Sequence, residues 1–217
     1  MTGPDRLGVF LESFDTGLPE DLDRLARDCE ARQLPVLRPR ARTLVRVLLA
    51  MNRPARILEI GTCEGFSALL MCRFGPENMH LTTIESDPAR AAAARHHFSS
   101  FGEAERITLL EGDAGALLPS LSSCYDMIFL DAAKGQYIHW LPELLRLMRT
   151  GSILVSDNVL QEGSLMQSRF LIPRRDRTIH ERMREFLFRI THDPGLETVI
   201  LPVGDGIALS VAKGMAE

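Results

Sequence analysis

Apolar residues come in short runs along the middle of the chain, each closed by a polar residue and followed by a stretch of helical character. Ile57-Leu58 and Ile60 form the first run, the pattern of a buried parallel strand. It leads into a glycine-bearing turn, Gly61 to Gly65, after which Phe66-Ser67-Ala68-Leu69-Leu70-Met71 opens a helix. His80-Leu81-Thr82-Thr83-Ile84 is β-rich and ends in Glu85, and the alanine-rich stretch from Pro88 to Phe98 is helical. Arg106 to Leu110 makes a third strand before Glu111-Gly112-Asp113-Ala114 and a short helix at Ala116-Leu117-Leu118. Tyr125 to Leu130 is a fourth, ending at Asp131-Ala132-Ala133-Lys134, and the helix from Ile138 to Met148 carries the only tryptophan, Trp140, which reads as core. Gly151 to Val155 is a fifth, ending at Ser156-Asp157-Asn158. A long loop from Leu160 to Arg177 precedes a helix from Thr178 to Thr191. Two closing strands, Glu197 to Pro202 and Gly206 to Ala212, meet at Val203-Gly204-Asp205, a hairpin signal.

Alternating strands and helices predict an α/β fold: a mostly parallel, seven-stranded sheet with helices on both faces and a C-terminal antiparallel hairpin. Ahead of it, Leu7 to Cys29 reads as helical, and Leu34-Pro35-Val36-Leu37 as an extended piece running through Arg38-Pro39-Arg40-Ala41-Arg42 into another helix. Residues 1–50 are thus a helical extension and 51–217 the core of one domain, with no repeat, low-complexity tract or linker.

Composition adds exclusions. With 45% hydrophobic and 25% charged residues the chain is ordinary globular protein, and a net charge of -4 leaves nucleic-acid or membrane binding to local clusters. Cys29, Cys63, Cys72 and Cys124 are scattered, which argues against zinc and disulfides and for a cytoplasmic setting. The N-terminus lacks a basic-then-apolar signal, and no apolar run is long enough to span a bilayer.

In an open α/β sheet, ligands bind beyond the carboxyl ends of the strands. That rule selects Gly61, Glu85, Asp113, Asp131 and Asp157-Asn158. The strand–glycine turn–helix unit is either a cradle that brings backbone close to a ligand at a helix N-terminus or a tight turn holding nothing. Glu85 lies about 20 residues past the turn, where nucleotide-binding units place an acid on ribose hydroxyls; the bland reading is a surface acid. Asp131, Asp157 and Asn158 offer only oxygen, which suits magnesium or calcium and leaves coordination positions open for substrate, although the aspartates could instead cap the following helices. Lys134, one short turn past Asp131, is a candidate base beside such a cation, or a surface lysine. Arg38, Arg40, Arg42 and Arg46 make either a solvated helix face or a polyanion contact. The His96-His97 pair points two ways on its helix and reads as surface.

LEIGTCEGFSAL, IESD, EGDA, FLDAAK and SDNVL, in this order and spacing, resemble the class I S-adenosylmethionine-dependent methyltransferases. The likeness is to the divalent-metal O-methyltransferase branch that includes the catechol and caffeoyl-CoA enzymes, and it runs from about Leu34 to Ala212. It implies a Rossmann-like methyltransferase domain. Glu59 and Gly61 would lie under the methionine part of S-adenosylmethionine, with Ser67 on its carboxylate, Glu85 on the ribose, Asp113 and Ala114 at the adenine, and Leu37 near the sulfonium. Asp131, Asp157 and Asn158 would hold magnesium, Lys134 would assist deprotonation, and the protein would be a homodimer. A narrower likeness, carried by DAAKGQY, DNVL and ILPVGDGIALS, is to bacterial enzymes that methylate 5-hydroxyuridine at the transfer RNA wobble position. Its basic tract after the fifth strand is echoed here between Arg169 and Arg177, and Arg174, Arg175 and Arg177, with Arg38, Arg40 and Arg42 from the other arginine-rich stretch, are the candidate RNA contacts, holding phosphates without reading bases. The C5 hydroxyl and C4 carbonyl of that base can chelate a metal much as a catechol does. Three departures stand out: Arg38-Pro39-Arg40-Ala41-Arg42 replaces a stretch that carries an acid and a glycine in many relatives, Glu64 occupies a turn position where small or apolar residues are usual, and Asp176 interrupts the basic tract. The leading expectation is thus a magnesium- and S-adenosylmethionine-dependent O-methyltransferase of wobble 5-hydroxyuridine in transfer RNA; the alternatives are a small catechol-like phenol as acceptor, or a nucleotide-binding module without catalysis.

Overall fold

The structure, a computed structural model, describes residues 6–214; Met1–Asp5, the start of the stretch read for a signal, and the last three residues lie outside it. Three helices lead, α1 (Arg6–Glu12), α2 (Glu20–Ala31) and α3 (Pro39–Asn52). The alternating part follows as β1 (Arg56–Ile60), α4 (Phe66–Phe74), β2 (His80–Glu85), α5 (Pro88–Ser100), β3 (Ile107–Glu111) and α6 (Ala114–Leu117). It continues through β4 (Tyr125–Leu130), α7 (Tyr137–Arg146), β5 (Met148–Ser156), α8 (Arg177–His192), β6 (Leu196–Leu201) and β7 (Ile207–Ala212). These form one seven-stranded sheet in the order β3-β2-β1-β4-β5-β7-β6, parallel except at β7, which runs antiparallel to both β5 and β6. This is the α/β arrangement expected from the alternation.

Strand side chains divide by parity between two cores. Ile57, Met127, Phe129 and Val155 face one core with α2, α3 and α4; Leu58, Ile60, Ile128, Leu130 and Leu154 face the other with α7 and α8. Because both faces are covered, β4 and the end of β5 read as near-continuous apolar runs, whereas β1 and β2 carry the buried polar Glu59 and Thr83.

Register then aligns the polar row. Ile60 pairs with both Ile84 and Leu130, and Leu130 pairs with Ser156. Gly61, Glu85, Asp131 and Asp157 are each the next residue, so four strands deliver them to one edge. The order reverses about β1, whose neighbours β2 and β4 lead the chain in opposite directions, and such a switch point opens a crevice.

Most element ends lie within two residues of the sequence reading, and the helix read to Met148 stops at Arg146; two places differ more. β5 begins at Met148 rather than Gly151, because the backbone passes through Gly151 at φ +83° and the pairing with β4 jumps from Tyr125–Met148 to Met127–Ile153. The long loop after β5 folds into three short 3-10 turns, Gln161–Met166, Arg169–Leu171 and Arg174–Asp176.

At Gly61, φ is +100° and an added Cβ would stand 2.1 Å from the carbonyl oxygen of Asp131. Gly61→Ala should therefore lower stability by at least about 2 kcal/mol, read as a shifted urea midpoint. An unchanged midpoint would mean the two strands do not pass so closely.

Candidate active site

The turn after β1 is held from three sides. Its backbone leaves β1 with Gly61 N–H donating to the Ile84 carbonyl at 3.0 Å. Cys63, at φ +48°, donates its N–H to Glu85 Oε2 at 2.7 Å, and Asp87 N–H donates to Glu85 Oε1 at 2.9 Å. The Glu85 carboxylate is thus fixed by two backbone donors and still has lone pairs directed at the crevice. From below, the ring of Phe98 fills the space beside Gly65 (φ +90°), where a Cβ would come within 2.4 Å of it, and His97 Nδ1 lies 2.8 Å from the Glu64 carbonyl. His97 is therefore a turn-fixing residue rather than surface decoration; only the tertiary fold brings α5 to the turn.

Beneath lies a buried polar layer. Thr62 and Thr83 hydroxyls meet at 2.5 Å, and Thr83 donates to Glu59 Oε2 at 2.6 Å. Glu59 is fully buried and its Oε1 has no hydrogen-bond partner among the described residues. Burial pushes its pKa up to about 7, against the opposing pull of the nearby Ser67 and Thr83 hydroxyls.

Above the turn opens a cavity of about 640 Å³. Leu37, Gly61, Ser67, Glu85, Asp113, Ala114 and Asp131 all line it. Glu59 does not; it supports the floor from one layer down. Asp113 also caps α6, accepting from Ala116 N–H at 3.1 Å. Trp140, read as core, is 7% exposed and also walls this cavity.

Asp131 and Asn158, with Pro35 and Val36, belong at once to this cavity and to a second hollow of about 200 Å³, which adds Asp157, Arg38, Ala41, Gly204 and Asp205. Asp131 Oδ1 accepts from Lys134 Nζ at 2.8 Å and from Asn158 Nδ2 at 3.0 Å. Asn158 sits at φ +56°, a conformation asparagine tolerates better than most residues. Burial, and then the neighbouring Asp131 charge, push the Asp157 carboxyl up to about 7. Among the described residues no three His, Cys, Asp or Glu side chains gather to hold a metal. The set here is two carboxylates and an amide. Its oxygens, two of them mutually repelling, suit a hard divalent cation, which would relieve the repulsion. Tyr137, buried and given no role by the sequence reading, braces the site: its Oη donates to the Leu130 carbonyl at 3.1 Å and accepts from Ala132 N–H and Lys134 Nζ, both at 3.2 Å. Its spacing six residues from Asp131 is a signal only once the turn's path is known.

The six arginines expected to touch RNA do not converge. Arg42 is buried, donates to the Leu37 carbonyl and to Glu30 Oε1 at 3.1 Å, and stacks over Phe66; it is a structural residue, which corrects its place in that set. Arg177 donates to the Ile172 carbonyl at 3.0 Å and closes its own loop. Arg40 donates to the Pro202 carbonyl at 3.0 Å. Arg38 lines the second hollow, whereas Arg174 and Arg175 are exposed and line neither.

An O-methyltransferase family profile matches residues 16–213. The chain belongs to the O-methyltransferase family. It is 31% identical over 184 residues to a catechol O-methyltransferase of Niastella koreensis, covering 81% of both chains. Against the catechol O-methyltransferase of Mycobacterium tuberculosis it is 29% identical over 218 residues, covering 97% of this chain and 96% of that one. Among solved structures, the O-methyltransferase of tomaymycin synthesis from Streptomyces achromogenes, in complex with SAM, superimposes with a TM-score of 0.84 at 25% identity, covering 99% of this chain and 100% of that one. The SAH-bound methyltransferase of Podospora anserina gives 0.86 at 26% identity, with 97% and 95% covered. In this O-methyltransferase the two adjoining hollows meet at Asp131, as transfer between two bound partners requires.

Glu59 generates a test by pH. Its folded pKa of about 7 exceeds the ordinary 4.5, so its contribution to stability is fully present below about 4.5 and lost as pH rises through 7. Glu59→Gln should flatten the pH dependence of the urea midpoint between those values. An unaltered slope would place the titration elsewhere.

Proposed function

We propose that this O-methyltransferase takes its methyl group from S-adenosylmethionine and, with a divalent cation such as magnesium, transfers it to one of two adjacent oxygens of a small catechol-like phenol. The observation that carries this reading is the position of Asp131, shared by the larger cavity and the smaller hollow and flanked by Asp157 and Asn158. The similarity to catechol O-methyltransferases and to SAM- and SAH-bound structures supports it. Size supports a small acceptor as well: a cavity of roughly 150 Å³ holds one benzene ring, and the hollow measures about 200 Å³.

The donor supplies an electrophilic methyl on sulfur, and the cation, held by Asp131, Asp157 and Asn158, would favour the ionised acceptor oxygen. The chain's own groups do the rest. Glu85, fixed by Cys63 and Asp87, accepts from the ribose hydroxyls. Ser67 holds the methionine end and Asp113 with Ala114 the adenine, while buried Leu37 keeps water from the reacting centre. Lys134 Nζ, held as an ammonium by Asp131 and Tyr137, would first give one proton to solvent, and its freed lone pair would then take the acceptor proton. Holding donor and acceptor in line can supply about 7–11 kcal/mol of the barrier reduction.

A second reading, methylation of wobble 5-hydroxyuridine in transfer RNA, is favoured by the exposed Arg174 and Arg175 and uses the same oxygen geometry. A homodimer is proposed on the exposed Leu7, Val9 and Phe10 of α1 and Phe14 just past it, beside Val47 and Met51 of α3.

The deciding experiment is mass spectrometry after incubation with S-adenosylmethionine, magnesium and either catechol or transfer RNA bearing 5-hydroxyuridine, with an EDTA control. Methylated catechol that EDTA abolishes is the expected result; methoxyuridine alone would select the RNA reading, and no product would defeat both. Lys134→Ala should lower kcat by about 100-fold or more with cofactor affinity kept. Retained kcat would remove Lys134 from proton transfer.

A further inference from the structure

Glu64 is an anomaly in the cofactor turn, a charged residue that is 9% exposed and lines the larger cavity. Both its carboxylate oxygens are engaged by one side chain from outside the sheet. Arg32 Nη1 donates to Oε1 and Nη2 to Oε2, each at 2.7 Å. Arg32 is the residue that ends α2, and it is itself steadied by Asp28, whose Oδ2 accepts from Nε at 3.1 Å and Nη2 at 2.6 Å. Such forked, charge-assisted pairs fix orientation as well as distance.

What Arg32 leads into makes the pair more than a staple. Residues 33–38 form a strap without regular structure between α2 and α3. Its Pro35 and Val36 wall both hollows, and Leu37 walls the larger one. The strap is tied at its far end where Arg42 grips the Leu37 carbonyl, and at its near end by Leu34 N–H on the Cys29 carbonyl at 2.9 Å and by Arg32 on Glu64. On the other side of Glu64, His97 and Phe98 hold the turn from below. The turn that faces the donor and the strap that faces donor and acceptor are joined across the cavity rim by this ion pair.

We propose that Arg32 and Glu64 are positioning residues which fasten the strap to the cofactor turn, so that donor binding and the shape of the acceptor hollow depend on one ion pair. The inference rests on the donor assignment made above.

The test combines calorimetric titration of S-adenosylhomocysteine, hydrogen exchange of residues 33–38 in the free protein, and steady-state kinetics with catechol. Glu64→Gln and Arg32→Gln should each weaken S-adenosylhomocysteine binding about fivefold or more. Each should also speed exchange in the strap and raise both KM values by more than kcat falls. The double variant should be no worse than the weaker single one, since both remove one contact. Arg32→Lys, which keeps the charge but not the fork, should fall between wild type and Arg32→Gln. Arg32 is half exposed, so its substitution leaves the core untouched. Losses that multiply in the double variant, or wild-type affinity in both single variants, would overturn the inference alone. Failure of the wild-type protein to bind S-adenosylhomocysteine would overturn the donor assignment and this inference with it.

Discussion

The site depends on one close approach. The Asp131 backbone leaves β4 across the face of Gly61, so near that its carbonyl occupies the space a Cβ would take. With Ile60 paired to Leu130, this fixes the Asp131 side chain beside the glycine turn and gives the cavity its floor. A glycine at φ +100° is what lets two adjacent parallel strands end in the same place. Asp131 then serves both hollows because the chain has no room to carry it elsewhere.

Polar burial is the second constraint. Thr62, Thr83 and Glu59 form a hydrogen-bonded layer under the turn, in a region where an unpaired group costs free energy. Glu59 keeps one oxygen unpartnered and Asp157 sits buried beside Asp131, so both acids are pushed towards neutrality. Of the two, only Asp157 lines a hollow, where a bound cation would offset the cost of its burial beside Asp131. Tyr137, Lys134 and Asn158 surround Asp131 with donors and hold its carboxylate in one orientation.

The N-terminal helices belong to the same construction. α2 and α3 pack on the sheet through Leu22, Val45 and Leu49, and the strap between them closes the top of the cavity. Arg42 illustrates how charge in a sequence misleads. Set among Arg38, Arg40 and Arg46 it looks like part of a basic surface, yet it is stacked over Phe66 and buried against Leu37 and Glu30. An arginine's long apolar stem allows this, and no local pattern announces it.

The sequence by itself determined the alternation of strands and helices, and hence an α/β sheet whose polar strand ends share one edge. Apolar runs that end in Gly61, Glu85, Asp131 and Asp157 carry that information locally, since strand length and polarity set both pairing and the point where chain leaves the core. Only the tertiary structure decided which polar groups touch. The links from Arg32 to Glu64 and from His97 to the Glu64 carbonyl join residues 32 and 33 positions apart. The Trp140 wall and the retreat of Glu59 beneath the cavity likewise depend on how whole helices pack and on the register of neighbouring strands. Side-chain periodicity tells a residue's face and not its partner, so contacts of this range are fixed only when the layers close.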